Sequence, residues 1–384
     1  MVESISTIMK ILISSSTLDV KNGYGNITYE LVKELKNDGH NVTLLLPHDD
    51  EFSEYDIEGV NIERVLPPYI FACKSRHFLK YLFWRYKTDK NFDIVHSLFA
   101  FPYAPLLVRE AKRFGIPCIV GAQGTYGVQP LTTFPERVFM KFAYRNARMI
   151  HVPSQYTKNA ILKEAGENYY IKVIHNGVNY ERFLNHEVKS IDKFKSYKTK
   201  KVLLTVGALK NRKGQALVVK ALPKIVQKHP DVTYVMVGTP TDKISISELA
   251  KKLGVLNNIE IVGQVSDIDI LDYFHICDVY VHTPRVSGGF QFEGFGIVYL
   301  EAAACRKPSV GADAGGISDA LLDGVTGLIA PEDDVEKIAE NIIKLLDDEK
   351  MRNDFGKAGR EYAEKHTWEK ITEQYTSMYK EITS

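Results

Sequence analysis

Two glutamates stand eight residues apart in Phe292-Glu293-Gly294-Phe295-Gly296-Ile297-Val298-Tyr299-Leu300-Glu301-Ala302-Ala303-Ala304. Glu293 falls in a glycine-bearing loop. Ile297, Leu300 and Ala304 recur at helical spacing, so Glu301 rides about one turn into an apolar helix. A carboxylate there is costly without partners. Sugar hydroxyls are suitable ones; a neighbouring arginine is the plain structural alternative. The amides of Phe295, Gly296, Ile297 and Val298 open the helix and would cradle an anion. A second constellation, Val206-Gly207…Lys210-Asn211-Arg212-Lys213-Gly214, sets a planar guanidinium fork and an ammonium point charge between a strand and a helix. That pair suits a diphosphate, although a solvated loop has the same composition. A third, Lys21-Asn22-Gly23-Tyr24-Gly25-Asn26, follows Ser14-Ser15-Ser16 and lets backbone approach a ligand. It lacks the third glycine and the distal acid of a dinucleotide fingerprint, and a tight strand-to-helix turn is its alternative.

These loops need strands that end beside them and helices that start there. Apolar strand patterns occur at Lys10–Ser14, Asn41–Leu46, Ile94–His96, Cys118–Gly121, Met149–Pro153 and Lys172–His175. The rhythm restarts at Lys201–Val206, Thr233–Val237, Ile259–Val262, Val279–Val281, Pro308–Gly311 and Gly327–Ile329. Amphipathic stretches such as Gly25–Asn37, Leu106–Phe114, Gln215–Lys228 and Val335–Leu346 lie between them. Apolar strands alternating with helices predict parallel sheets covered on both faces, in an α/β fold of two doubly wound domains. The charged stretch Glu187–Lys200 reads as the linker. Such sheets place ligands at the carboxyl ends of their strands, here around a shared cleft.

The chain has 384 residues, 45% hydrophobic and 25% charged, which suits two domains and excludes collagen, coiled coil and disorder. A net charge of +1 argues against a nucleic-acid binder. Residues 64–163 nevertheless hold 16 Lys and Arg against four acids, a patch suited to an anionic membrane or acceptor. Neither a secretory signal nor a membrane span is expected, and residues 1–8 read as a loose extension. Cys73, Cys118, Cys277 and Cys305 lie far apart, which disfavours structural zinc and disulfides and fits a reducing cytosol. Asp267-Ile268-Asp269 looks like a metal-binding D-x-D but reads better as acids in the first turn of a helix after Ser266.

Glu293…Glu301 resembles the E-x7-E pattern of retaining glycosyltransferases, and E-G-F-G-x-x-x-L-E is most typical of glycosyltransferase family 4 (group 1), of GT-B fold. Asn176-Gly177-Val178-Asn179…Phe183, Val206-Gly207…Arg212-Lys213-Gly214, Gly315-Gly316-Ile317-Ser318-Asp319 and Asp323-Gly324-Val325-Thr326-Gly327-Leu328 agree with it. The resemblance implies two Rossmann-like doubly wound domains facing an interdomain cleft. Residues 1–186 would form the acceptor side, with a C-terminal helix, 370–384, packing back on it, and residues 187–369 would bind the donor. It further implies that Glu293 contacts donor-sugar hydroxyls, that Phe295, Gly296 and Ile297 offer backbone N–H groups, and that Glu301 accepts from the nucleotide ribose. Arg212 and Lys213, with Gly207 in the same loop, would hold the diphosphate, and Gly23 would face it from the other domain. The donor is then a co-substrate, with no cofactor and no metal expected.

The chain departs from the family in places. Gln123, in Gly121-Ala122-Gln123-Gly124-Thr125, stands where a histidine is usual; it can orient a hydroxyl but cannot ionise. Arg306 replaces a usual glycine and Ser318 a usual proline. His96 has a family look and equally fits a core histidine. The expected activity is retaining, metal-independent transfer of a sugar from a nucleotide-diphosphate donor to a hydroxyl acceptor. A catalytically weak sugar-nucleotide-binding subunit and a nucleotide-sugar epimerase of the same fold are the alternatives. The basic, aromatic segment Tyr69-Ile70-Phe71…Lys74…Arg76…Phe78–Lys87 has the composition of an interfacial helix. It points to a lipid-linked or cell-envelope acceptor and a cytoplasmic protein peripheral on the inner face of the membrane, with a core-packed helix as the alternative.

Overall fold

The computed structural model describes residues 8–69, 78–88, 91–166, 168–188 and 194–384. The chain forms two compact units, Met1–Gly177 with Trp368–Ser384, and Val178–Thr367. The N-terminal unit holds β1 (Lys10–Ser14), β2 (Asn41–Pro47), β3 (Asn61–Leu66), β4 (Ile94–Ser97), β5 (Cys118–Gly121), β6 (Met149–Val152) and β7 (Ile171–Val173). They pair in the order β3-β2-β1-β4-β5-β6-β7, all parallel. The C-terminal unit holds β8 (Lys201–Val206), β9 (Val232–Val237), β10 (Ile259–Gly263), β11 (Val279–His282), β12 (Ser309–Asp313) and β13 (Gly327–Pro331). Their order, β10-β9-β8-β11-β12-β13, is again parallel and repeats the first six places of the other sheet.

In both sheets the strand order reverses beside the first strand, and the loops leaving the two central strands part to opposite faces. That is where a doubly wound sheet has room for a ligand. Alternation along the central strands fills both faces. Leu204, Val235, Val237 and Tyr280 join one core with the Ile297–Ala304 helix. Leu203, Tyr234, Met236 and Val281 join another with the Gln215–Lys228 and Val335–Asp347 helices. A sheet buried on both faces reads as continuous apolar runs, which is how these strands were legible. β3 was not: it is a half-exposed edge strand whose sequence Asn-Ile-Glu-Arg-Val-Leu mixes charge with apolar residues.

The boundary differs from the expected one at residue 187. The chain enters the second unit at Val178, and the physical reason is aromatic. Tyr180, Phe183, Phe194 and Tyr197 are buried in the C-terminal core, with Phe183 edge-on to Phe274 at 5.6 Å and Phe194 edge-on to Tyr273 at 5.1 Å. The charged stretch 187–200 therefore contains core anchors; residues 189–193 of it, like residues 1–7 of the expected loose extension, lie outside the described residues. The return crossing follows Thr367. The Trp368–Thr383 helix then packs in the N-terminal unit, where Trp368 occupies the space that a side chain on Gly177 would need, 2.6 Å from its ideal Cβ.

Tyr375 and Tyr379 of that helix meet His96 of β4 and His151 of β6. His96 Nδ1 lies 2.8 Å from the Tyr379 hydroxyl and His96 Nε2 lies 2.8 Å from His151 Nε2. Burial pushes both imidazoles down, His151 to about 3, so one neutral ring donates to the other. His96 is thus a core histidine. Gly121 makes the contact possible, since a Cβ there would lie 2.4 Å from His151 Nε2. No helix among the described residues is long and apolar enough to cross a membrane.

Candidate functional site

β8 ends at Val206, and the loop after it is set by glycines. Gly207 takes φ 138°. Gly238, also at positive φ, approaches so closely that a Cβ on it would lie 2.2 Å from the Gly207 carbonyl. The chain then makes one 3₁₀ turn, Asn211–Lys213, closed by Gly214 at φ 78°. A Cβ on Gly214 would sit 1.6 Å from the Thr283 carbonyl, so only glycine lets this turn rest on the end of β11. Thr283 Oγ1 donates to the Gly214 carbonyl at 3.0 Å, and Arg285 N–H donates to the Arg212 carbonyl at 2.9 Å. Arg212 and Lys213 thereby stand fixed beside the loop that follows β11.

That loop delivers Glu293. Lys213 Nζ donates to Glu293 Oε2 at 2.6 Å, with both side chains less than one-fifth exposed. His282, the last residue of β11, is buried, and its Nε2 lies 3.7 Å from the same oxygen. Burial pushes the Glu293 carboxyl up, but Lys213 and the His282 ring outweigh it and hold the group well below the ordinary glutamate range. Burial pushes the His282 imidazole below its ordinary value, with Glu293 pulling it up and Lys213 and Arg212 pushing it down. The Glu293 backbone is clamped too: Gly316 N–H donates to its carbonyl at 2.8 Å, and Gly315, at φ 77°, passes where a Cβ would be 2.4 Å from that carbonyl.

Gly296, at φ 94°, caps the Ile297–Ala304 helix, and a Cβ there would strike the Tyr299 ring. Phe295 turns its side chain into the core. The first N–H groups of the helix lie outside the i to i−4 ladder, on the side of the loop that carries Glu293. Glu301, a turn further in, is pushed up to about 7 by burial, with Arg182 pulling it down and Asp267 pushing it up. Arg182 itself donates to the Asp267 carbonyl at 2.7 Å. Ser266 caps the Asp267–Ile276 helix through the Asp269 N–H at 3.1 Å, so the D-x-D is a helix start.

The C-terminal unit therefore gathers Gly207, Arg212, Lys213, Glu293, Phe295, Gly296, Ile297 and Glu301 at the carboxyl ends of its two central strands, β8 and β11. The sequence reading did not single out His282 or Arg182. A histidine ending the buried run Val279-Tyr280-Val281 was the available signal for the first. Gly23 and Gln123 form a second cluster, in the N-terminal unit. Tyr24, next to Gly23, donates its hydroxyl to the Gln123 carbonyl at 3.3 Å and packs edge-on to Phe99 at 4.5 Å. Gln123 Oε1 accepts from Asn176 at 3.2 Å, while Gln123 Nε2 and Asn176 Oδ1 are buried without a partner among the described residues. Gly23 has open space where a Cβ would stand; Gly25 is the crowded one, 2.0 Å from the Asp19 carbonyl.

The expected interfacial helix is short, Phe78–Phe83, and its surroundings are mixed, with Phe83 76% exposed. Tyr81 and Tyr86 are buried, and Trp84 Nε1 donates to the Val65 carbonyl at 2.7 Å. Ile70, Phe71, Lys74 and Arg76 lie outside the described residues. The core-packed alternative accounts for the aromatic residues Tyr81 and Tyr86.

Comparison with known proteins places similar chains beside this geometry. The family described as Glycosyltransferase Family 4 matches residues 21–182, and Glycosyl transferases group 1 matches residues 187–362. An uncharacterised glycosyltransferase of Methanocaldococcus jannaschii is 28% identical over 98% of this chain and 99% of its own. A GDP-mannose-dependent monoacylated alpha-(1-6)-phosphatidylinositol monomannoside mannosyltransferase of Corynebacterium glutamicum is 32% identical over 59% of this chain and 60% of its own. Among solved structures, Anabaena HepE in complex with UDP superposes with a TM-score of 0.80 at 20% identity, over 97% of this chain and 100% of its own.

Proposed function

This chain belongs to the group 1 glycosyltransferases of family 4, with the GT-B fold, and from that premise we propose that it transfers a sugar from a nucleoside-diphosphate donor to a hydroxyl acceptor with retention of configuration. The observation that carries the reading is the Lys213–Glu293 pair at the carboxyl ends of β8 and β11. It sets a cation for a diphosphate against a carboxylate for sugar hydroxyls. In this reading the bond from the sugar's anomeric carbon to the diphosphate oxygen breaks, and Arg212, Lys213 and the amides of Phe295, Gly296 and Ile297 stabilise the charge that grows on the leaving phosphate. The acceptor oxygen bonds to the same face of that carbon, and its proton passes to a leaving-phosphate oxygen. Glu293 holds the sugar, Glu301 accepts from the ribose, and Gln123 orients a hydroxyl. The leaving charge is met by these groups without a metal.

UDP in the HepE structure and GDP-mannose in the name of the corynebacterial relative support a nucleotide-sugar donor and differ in the base. The acceptor named for that relative is a lipid, which agrees with the basic N-terminal half of this chain and with a peripheral position on an anionic membrane. A panel of UDP-, GDP- and ADP-sugars in thermal shift, followed by NMR assignment of the anomeric configuration in the product, tests the proposal; an inverted product overturns retention. A second reading is favoured by Gln123 alone: a sugar-nucleotide-binding subunit that turns over weakly. It requires nucleotide binding with no transfer by purified protein.

A further inference from the structure

Three loops at the carboxyl ends of the C-terminal sheet are tied together at one residue, Arg285, just past the end of β11. Its backbone N–H donates to the Arg212 carbonyl at 2.9 Å and its Nη1 donates to Asn211 Oδ1 at 3.5 Å, which joins it to the turn after β8. Its guanidinium also reaches the loop after β13. Nη2 donates to Asp333 Oδ2 at 2.8 Å, and Nε lies 2.5 Å from Asp333 Oδ1. The next amide, Val286 N–H, donates to Glu332 Oε1 at 2.6 Å. Two adjacent acids of one loop thus hold the side chain of Arg285 and the backbone that follows it.

From that anchor the chain folds back on itself. Ser287 and Gln291 exchange backbone hydrogen bonds at 2.8 and 3.0 Å, across a tip in which Gly288 and Gly289 take φ 59° and 77°. Phe292 is then buried, and Glu293 follows it. One limb of this hairpin rests on the Arg212 turn, and the other delivers the carboxylate that Lys213 grips. The Arg212 guanidinium makes no hydrogen bond or ion pair among the described residues, so the backbone of its turn decides where that charge stands. Stability does not explain the arrangement. The Arg285 and Asp333 side chains are 35% and 46% exposed, and ion pairs so open to water add little to folding. Asp333 moreover holds φ 63°, a left-handed conformation that a residue with a side chain adopts at a cost. Strain of that kind persists where geometry at a ligand edge must be kept.

We propose that Arg285 is a positioning residue for the donor site, with Asp333 as its anchor. The pair fixes the spacing between the cations of the Asn211–Lys213 turn and the Glu293 carboxylate, so that both meet one ligand. The role rests on the reading of Arg212 and Lys213 as diphosphate ligands. It extends that reading to a residue whose own guanidinium is committed to protein partners.

The test is calorimetric titration with UDP and GDP, beside donor turnover, in the full chain and in R285M, R285K, D333N and R285M/D333N. R285M is expected to bind the better of the two nucleotides about tenfold more weakly and to turn over about tenfold more slowly, within the range that a misplacement of up to about 1 Å costs. R285K keeps the charge but not the planar fork, so it should recover only part of that loss. D333N keeps a side chain that tolerates the left-handed backbone and a neutral acceptor for Arg285, so its loss should be smaller, about threefold. The double variant should lose no more than R285M, because the two side chains act as one unit. Melting temperatures should stay within about 3 °C of the parent. Parent-like affinity and turnover in folded R285M, additive losses in the double variant, or a larger fall in melting temperature with turnover per folded molecule unchanged overturns the proposal. A parent that binds nucleotide exactly as R285M does removes the positioning role alone. A parent that binds neither nucleotide removes the diphosphate reading, and the positioning role falls with it.

Discussion

Lys213 Nζ lies 2.6 Å from Glu293 Oε2 although 80 positions separate the two in sequence. Glycines 207, 214, 238 and 315 make that meeting possible, each admitting backbone where a Cβ would collide or taking a φ that other residues avoid. The pair is partly buried, so each member is the other's main compensation for lost water. Replacing Arg212 and Lys213 together by alanine is expected to lower turnover about 100-fold, the scale of losing fixed charge at a developing anion. Parent-like turnover in the folded double variant would remove them from the reaction. The paired Glu293 also links to pH. Its folded pKa is depressed, so its contribution to stability is complete above the ordinary glutamate value of about 4.3 and is lost as pH falls through the lower folded value. Glu293→Gln should flatten that acid limb in chemical-denaturation curves.

Glu301 has the opposite sign. Its folded value of about 7 exceeds the unfolded one, so the folded chain holds an extra proton between about pH 4.3 and 7. Stability attributable to this group falls across that window and is level above it. Glu301→Gln should remove the slope. Ribose binding through this carboxylate calls for the ionised form, so nucleotide affinity should rise with pH through 7 in the parent and lose both the rise and about tenfold in strength in the variant. Calorimetric titration with UDP or GDP at several pH values reads both effects, and an unchanged affinity in Glu301→Gln would separate this residue from the nucleotide.

In the proposed reaction His282 would act through Glu293, as a positioning residue. It is buried, and its Nε2 lies 3.7 Å from the oxygen that Lys213 also holds. His282→Leu keeps the volume roughly and removes the ring nitrogens. Turnover should fall about tenfold, and the acid limb of stability should shift toward higher pH, because Glu293 loses one of the groups that depress its pKa. A merely structural role would lower the melting temperature and leave that limb in place.

Much of this arrangement was legible before any coordinates, because parallel sheets buried on both faces must be written as apolar runs, and because Glu293, Arg212 and Lys213 stand in loops that such sheets bring together, with Glu301 on the helix that one of those loops opens. What sequence hid follows from context. Phe194 and Tyr197 sit among lysines, so their stretch reads as a linker although both anchor a core. β3 is an edge strand and need not alternate cleanly. His282 looks like one more residue of a buried strand until its neighbour across the loop is known. The aromatic residues between Tyr69 and Lys87 divide once folded: Tyr81 and Tyr86 are buried while Phe83 is 76% exposed, a split that composition alone does not reveal.

Arg306 stands at φ 58°, a left-handed position, with its carbonyl where a Cβ on Gly356 would lie 2.2 Å away. A side chain costs about 1–2 kcal/mol in that conformation, and the Arg306 charge also disfavours ionised Arg360 nearby. Arg306→Gly is therefore expected to stabilise the protein by about 1 kcal/mol after the entropy that glycine adds to the unfolded chain. Urea denaturation measures this. A loss of stability would mean that the side chain makes a contact worth more than the strain.

Gly23 and Gly25 separate a ligand role from a packing role within one loop. Gly25 N–H donates to the Asn22 side chain at 2.9 Å, and a Cβ there would lie 2.0 Å from the Asp19 carbonyl. Gly25→Ala must push that loop away and should cost about 1–3 kcal/mol, the scale of overpacking a tight contact. Gly23 opens the Gly23–Asn37 helix with nothing near its missing Cβ, so Gly23→Ala should leave the melting temperature at or slightly above that of the parent. If a diphosphate or acceptor approaches this backbone, the same methyl group stands in its path, and turnover should fall about tenfold in a protein that is otherwise as stable as the parent. Unchanged turnover would assign the loop to packing alone, with Gly25 as the reason for its glycines.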